Sequence, residues 1–322
     1  MGWLRCLTRI LSLGWLALYA AHAQANLELR PKTIAAIPSR IAVNVHIESN
    51  LVLVPVSVCD RMNRPITGLE KDHFKIFDDK IEQTVTHFAM EDEPLAVGLV
   101  FDVSGSMGSK LKRSRMAAAA FFREANPDDE FFLVEFNDKA RLTVPLTENT
   151  EEIQNRLAFE KSKGRTALVD AIMLGLQEMR KSKKTRKALL VISDGGDNCS
   201  RYTEGELRSR VRESDVLIYA IGIYEPSGAR GRTPEEIAGP GRLGEIAEQT
   251  GGRHFPVDSL SELPDVAAKI SIELRNRYML GYSPSNKERD GRYHHVQIKI
   301  QPPRGLPALH AFWRLGYYAP IQ

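Results

Sequence analysis

Leu95-Ala96-Val97-Gly98-Leu99-Val100-Phe101, followed at once by Asp102-Val103-Ser104-Gly105-Ser106, is the stretch from which the architecture unfolds. An apolar run of this length, closed by turn-forming residues, is a strand buried on both faces. Outward from it, a helical period runs through Leu111 to Ala125, a strand through Glu130 to Phe136, and a second helix through Thr166 to Met179. Lys187 to Ser193 and Val216 to Ile223 add two apolar runs, with helices between and after them. Strands alternating with helices predict an α/β class: a doubly wound, mostly parallel, Rossmann-like sheet over residues 93–275.

The flanks read differently. Ile41 to Ile47 alternates, Leu51 to Val58 is a β-branched run closed by the turn-forming stretch Asp60 to Pro65, and Phe74–Phe77 and Gln83–Phe88 bracket a hairpin turn at Asp78-Asp79-Lys80. Beyond the α/β region come Tyr278 to Tyr282, a turn at Arg289-Asp290-Gly291, a strand from His294 to Ile300 and a last segment from Ala311 to Tyr318. Neither flank has enough strands to cover its own apolar face. Residues 40–92 and 276–322 are therefore expected to form one small all-β sandwich into which the α/β domain is inserted.

At the amino end, Arg5 and Arg9 precede an apolar run from Ile10 that closes on Ala21-His22-Ala23, the small-x-small pattern of a signal peptidase site. Residues 1–23 are read as a signal peptide and 24–39 as a linker, so the mature chain begins near Gln24 and is exported, periplasmic or extracellular. The run is too short to span a bilayer, and no later segment is apolar enough to do so. Only Cys59 and Cys199 remain after cleavage, and a bridge between them would have to join two domains. With 44 basic and 41 acidic residues in 322, the chain lacks the basic excess that nucleic acid selects.

Chemistry gathers in three places. Along an extended loop, Asp102, Ser104 and Ser106 lean the same way, so one carboxylate and two hydroxyls converge. Gly164-Arg165-Thr166 places a hydroxyl at the start of a helix, and Ile192-Ser193-Asp194-Gly195-Gly196 places a carboxylate at the end of another strand. Taken singly, Thr166 is an ordinary N-cap and Asp194 a turn residue. Together, at the carboxyl edge of an α/β sheet, they make an oxygen-donor set for a hard cation: Mg2+ first, with Mn2+ or Ca2+ as substitutes.

This pattern closely resembles the von Willebrand factor type A domain over about residues 93–275, including Thr166-Ala167-Leu168-Val169-Asp170-Ala171-Ile172 and Gly222 after the fifth strand. The resemblance implies that Asp102, Ser104, Ser106, Thr166 and Asp194 make up a metal-ion-dependent adhesion site. It further implies that the hydroxyls ligate the metal directly, that the aspartates act largely through water, and that a partner's Asp or Glu completes the shell. Gly68-Leu69 with Asp72-His73-Phe74, and Arg277 to Pro284 with Asp290 to His294, resemble the flanks of exported bacterial von Willebrand-A-related proteins of the kind best represented in acidobacteria. No activity transfers from that subfamily.

Signals for catalysis are weak. Gly239-Pro240-Gly241-Arg242-Leu243-Gly244 fits G-x-G-x-x-G but follows no strand, and reads as a loop opening a helix. There is no G-x-S-x-G, H-E-x-x-H or C-x-x-C; His294 and His295 point to opposite faces of a strand, and His87 and His254 read as packed or surface residues. The expectation is a non-enzymatic, exported binding module that recognises an acidic group of a protein partner through Mg2+. Lys110, Lys112, Arg113, Arg165 and Arg201 either favour such a partner or are solvated charges. The alternatives are a Mg2+-assisted hydrolase, for which Asp197 is the sequence-near base, and a structural envelope component.

Overall fold

The computed structural model describes residues 51–91, 93–224, 234–286, 288, 290–303, 305 and 308–321. The signal peptide, the linker and the expected Ile41–Ile47 strand lie outside the described residues. The amino-terminal flank gives β1 (Val52–Cys59), β2 (Phe74–Asp78), β3 (Ile81–Gln83) and β4 (His87–Glu91). The central region gives β5 (Leu95–Asp102), α1 (Leu111–Phe122), β6 (Glu130–Phe136), β7 (Ala140–Thr147), α2 (Thr150–Ala158), α3 (Leu168–Met179), β8 (Arg186–Ser193), α4 (Glu204–Glu213), β9 (Leu217–Ile223), α5 (Pro234–Thr250), β10 (His254–Val257) and α6 (Leu263–Arg275). The carboxyl flank adds β11 (Arg277–Tyr282), β12 (Tyr293–Ile300), β13 (His310–Trp313) and β14 (Gly316–Tyr318).

Six central strands form one sheet in the order β10-β9-β8-β5-β6-β7, parallel except for β7. Alternate residues of β5 feed two cores. Leu95, Val97, Leu99 and Phe101 pack with α1, α2 and α6, while Ala96 and Val100 pack with α3, α4 and α5. Gly98 is required in this middle strand because a Cβ there would sit 2.1 Å from the Phe132 ring. From β5 the chain first winds outward through β6 and β7, then returns to add β8 on the other side of β5. The switch point therefore lies between the carboxyl ends of β5 and β8, where ligands bind in open sheets of this kind.

The flanks interleave into two four-stranded antiparallel sheets, β13-β1-β11-β4 and β14-β12-β2-β3. Val54 pairs with Leu280 and Ile76 with Ile298, so strands from both ends of the chain share one core that includes Val56, Phe74, Tyr278 and Tyr282.

Several local expectations need correction. The run from Gln83 to Phe88 is not one strand: β3 and β4 belong to different sheets, and the chain crosses between them past buried Val85. Ala311 to Tyr318 likewise divides into β13 and β14 on opposite sheets, around Arg314 and Leu315. Alternation reports which face is buried, not which of two stacked sheets a residue joins. Gly222 lies inside β9 rather than after it. The G-x-G-x-x-G segment is interior to α5, despite Pro240.

Candidate functional site

Asp102 ends β5 and is wholly buried. Its Oδ1 accepts the Ser104 N–H at 2.8 Å, and its Oδ2 accepts the Ser193 hydroxyl at 2.6 Å. The Ser104 and Ser106 hydroxyls lie 3.1 Å apart, with Ser104 buried and Ser106 open to solvent. This loop is fastened to the one carrying Thr166: Gly105 N–H donates to the Gly164 carbonyl at 3.0 Å, and Lys163 N–H to the Val103 carbonyl at 2.9 Å. Gly164 is left-handed, at φ 83°, which lets that loop turn back without strain.

Thr166 is buried and held by Asn198, whose side-chain oxygen accepts the Thr166 N–H at 2.9 Å and whose own N–H donates to the Thr166 carbonyl at 2.9 Å. Its expected capping role is taken by another residue. The N-cap position of α3 is Ala167, and Asp197 Oδ1 accepts the amides of Leu168 at 2.9 Å and Val169 at 3.4 Å. Asp197, the one sequence-near candidate for a catalytic base, is thus engaged in holding a helix end.

Asp194 follows β8 and is buried, accepting the Gly196 N–H at 3.3 Å. The loop is pressed onto α5: a Cβ on Gly195 would lie 2.7 Å from Gly239 Cα, and one on Gly239 would lie 2.6 Å from the Asp194 carbonyl. Arg242 donates to the Gly195 carbonyl at 2.5 Å and binds Glu204 at 2.6 Å. Gly239 and Arg242 of the G-x-G-x-x-G segment thus help to seat a site loop.

Two charges give the site its electrostatics. Burial first, and then the Asp194 charge, push the Asp102 carboxyl up to about 7, against the hydrogen bonds from Ser104 and Ser193. Lys110 Nζ lies 3.1 Å from Asp194 Oδ2, and both side chains are buried. Lys110 is therefore no solvated surface charge. Arg165 and Arg201 each pair with one carboxylate at the rim, Asp138 at 3.3 Å and Asp170 at 3.1 Å, but stay mostly exposed, as Lys112 and Arg113 do on α1. Lys110, Ser193, Asn198 and Asp170 are contributors that sequence reasoning gave no structural role. A lysine at the N-cap of α1 was a usable signal, since a cation there opposes the helix dipole and calls for a compensating anion.

Residues 97–196 match the family model described as the von Willebrand factor type A domain. This chain contains a von Willebrand factor type A domain. The solved von Willebrand factor type A protein from Catenulispora acidiphila is similar at TM-score 0.50 and 13% identity, over 77% of this chain and 72% of that one, a likeness of fold. Among curated proteins, an uncharacterised Borreliella burgdorferi protein is 24% identical over 211 residues, covering 56% of this chain and 61% of that protein. Mouse inter alpha-trypsin inhibitor heavy chain 4 is 27% identical over 146 residues, covering 40% of this chain and 16% of that protein. The match thus spans under two thirds of either relative. Von Willebrand type A domains commonly serve as adhesion and protein-binding modules, and the family often binds a divalent metal.

The residues of this domain fit such a metal. Two buried carboxylates, two neighbouring hydroxyls and the Thr166 loop meet at the switch point, and the oxygen-only donor set suits a hard dication. The raised Asp102 marks a carboxylate short of positive charge. Cys59 and Cys199 are both free thiols, and no helix among the described residues is long and apolar enough to cross a membrane.

Proposed function

We propose that this chain is an exported, non-enzymatic binding protein whose von Willebrand type A domain recognises a carboxylate on a protein partner. Ser104, Ser106 and Thr166 would hold a Mg2+ ion through their hydroxyls, with Asp102 and Asp194 balancing its charge. The ion would supply an electrophilic point to which an acidic side chain can bind.

The observation that carries this reading is the buried Lys110–Asp194 pair beside Asp102. With Asp102 ionised, as it would be beside a metal ion, two carboxylates and one ammonium give the loops one net negative charge. A bound dication turns that into one net positive charge, and an incoming carboxylate neutralises it. A site with this balance attracts an acidic partner only when it is loaded, which separates recognition from general stickiness. Asp197, by contrast, is committed to α3 and gives the hydrolase alternative no support.

Capture from envelope extract on the immobilised chain tests the proposal, run with Mg2+ and with chelator. The expected result is a partner retained in Mg2+ and released by chelator. Retention that ignores chelator would move binding to the sandwich. Amino-terminal sequencing of the envelope-borne protein is expected to start at or near Gln24; a mature form still beginning at Met1 would contradict export by cleavage.

A further inference from the structure

The hairpin end of the sandwich carries a second cluster with metal-ligand chemistry, drawn from both sides of the inserted domain in sequence and independent of the function proposed above. We propose that Asp78, Asp79 and His294 form a site for a Zn2+-class transition-metal dication that staples the amino- and carboxyl-terminal flanks together. The three side chains offer ligand atoms that all lie within 4.8 Å of one another. His294 Nδ1 is 2.9 Å from Asp79 Oδ2 and 3.8 Å from Asp78 Oδ1. Ligand atoms around a tetrahedral Zn2+, each about 2.0–2.2 Å from the ion, are separated by about 3.3–3.6 Å, within that spread.

The independent pointer to a ligand is an orphaned atom. Asp78 is 5% exposed, and its Oδ2 accepts two hydroxyls, Tyr282 at 3.0 Å and Tyr317 at 2.9 Å. Its Oδ1, equally buried, accepts no hydrogen bond. A carboxylate fixed by two tyrosines on one oxygen and left bare on the other is poised for a cation. His294, at 6% exposure, repeats the pattern: Nδ1 faces the carboxylates, while Nε2 makes no hydrogen bond and faces Asp290 Oδ1 at 3.9 Å. Metal-bound histidines commonly direct their second ring nitrogen toward a carboxylate in this way. The Tyr317 ring stacks on the imidazole at 5.4 Å and fixes its plane.

Asp79 completes the set because its backbone is already committed. It sits at φ 45° in the hairpin turn; its N–H donates to the His295 carbonyl and its Oδ1 accepts the His295 N–H, both at 2.9 Å. That leaves Oδ2 turned to His294. The Asp79 side chain is 48% exposed, which provides an entry path and room for a water as a further ligand. One imidazole with two carboxylates favours Zn2+ and its neighbours over Mg2+, whose ligands are oxygen. Asp78 and His294 come from strands paired side by side but far apart in the chain, so a metal bond between them closes a long loop.

The test is Zn2+ calorimetry on the full chain, with Co2+ absorption as a reporter of imidazole-carboxylate ligation. Asp102→Ala, which lacks the sheet-edge carboxylate, is expected to keep one equivalent of Zn2+ at the sandwich site with the affinity wild type shows there, and both are expected to melt at a higher temperature with it. Binding should weaken about 100-fold in His294→Gln and at least about tenfold in Asp79→Asn, whose exposed side chain leaves folding intact. Three results would overturn the proposal: Zn2+ affinity unchanged in Asp79→Asn, affinity lost in Asp102→Ala, or no binding to wild type with His294 present as an imidazolium paired to the carboxylates.

Discussion

The carboxyl edge of the six-stranded sheet and the core of the flanking sandwich are both made where strands lie side by side, yet, the hairpin cluster of Asp78 and His294 aside, they bury opposite kinds of group. The sheet edge encloses Asp102, Ser104, Thr166, Asp194 and Lys110, groups that would be better solvated in water. The sandwich core encloses Val56, Phe74, Ile76, Tyr278 and Leu280. Burying apolar surface stabilises a fold, whereas burying an under-compensated carboxylate opposes it. The sandwich therefore reads as a source of stability and the sheet edge as a place where stability is given up for recognition. Substitutions that affect one region and leave the other alone test this division.

The largest effect on stability is expected in the sandwich. Ile298→Ala, which removes a side chain from the core shared by both flanks, should destabilise the protein by about 2–5 kcal/mol in denaturant unfolding. Its Mg2+ affinity should stay within about twofold of wild type if the two regions are energetically separate. A parallel loss of Mg2+ binding would break the comparison.

Lys110→Met sharpens it from the other side. Removing the ammonium 3.1 Å from Asp194 should raise Mg2+ affinity about tenfold by calorimetry, since the dication no longer meets a like charge. Capture of an acidic partner should weaken at the same time, because the loaded site is then neutral. A variant that binds both less well would contradict the charge balance.

Asp102→Asn separates stability from recognition through pH. The folded Asp102 carboxyl titrates at about 7 against an ordinary 3.8, so between those values the folded chain keeps a proton that the unfolded chain has lost. The metal-free stability contribution of this group is thus full below about 3.8 and lost as pH rises through about 7. At pH 8 the metal-free Asn variant should melt a few degrees above wild type, and at pH 4 the two should coincide. Equal melting temperatures at pH 8 would mean that Asp102 is not under-compensated.

The smallest effect belongs to Thr166→Ala. Mg2+ affinity should fall only several-fold, because a neutral hydroxyl is lost, and stability should hardly change, because α3 is capped by Asp197. Asp197→Ala, in contrast, should cost about 1 kcal/mol as a lost helix cap. Reversal of these two outcomes would return the cap to Thr166.

The same contrast explains what the sequence revealed. The central strands were legible because burial on both faces leaves an unbroken apolar signature, as in Leu95 to Phe101, and most oxygen donors were legible because they follow those strand ends directly. Thr166 was legible from its place before a helix. β7 and α2 went unread: β7 is a half-exposed edge strand carrying Arg141 and Pro145, so its alternation is diluted. A helix is expected in this region, but the first half of α5 reads as a loop, since its glycines and Pro240 argue against helix; Gly239 is there so that α5 can approach Gly195. The roles of Lys110, Ser193 and Asn198 depend on contacts between loops far apart in the chain, which no spacing rule reports. In the sandwich, neither the crossing at Val85 nor the split between β13 and β14 leaves a mark in periodicity.

The central claim, that buried carboxylates at the switch point exist to hold a dication, is tested most directly by Mg2+ calorimetry on wild type, Asp102→Ala and Asp194→Ala, with folding followed by circular dichroism. Wild type is expected to bind one Mg2+, and both variants to lose about 100-fold or more in affinity while keeping the wild-type spectrum. Folded variants that bind Mg2+ as tightly as wild type would contradict the claim.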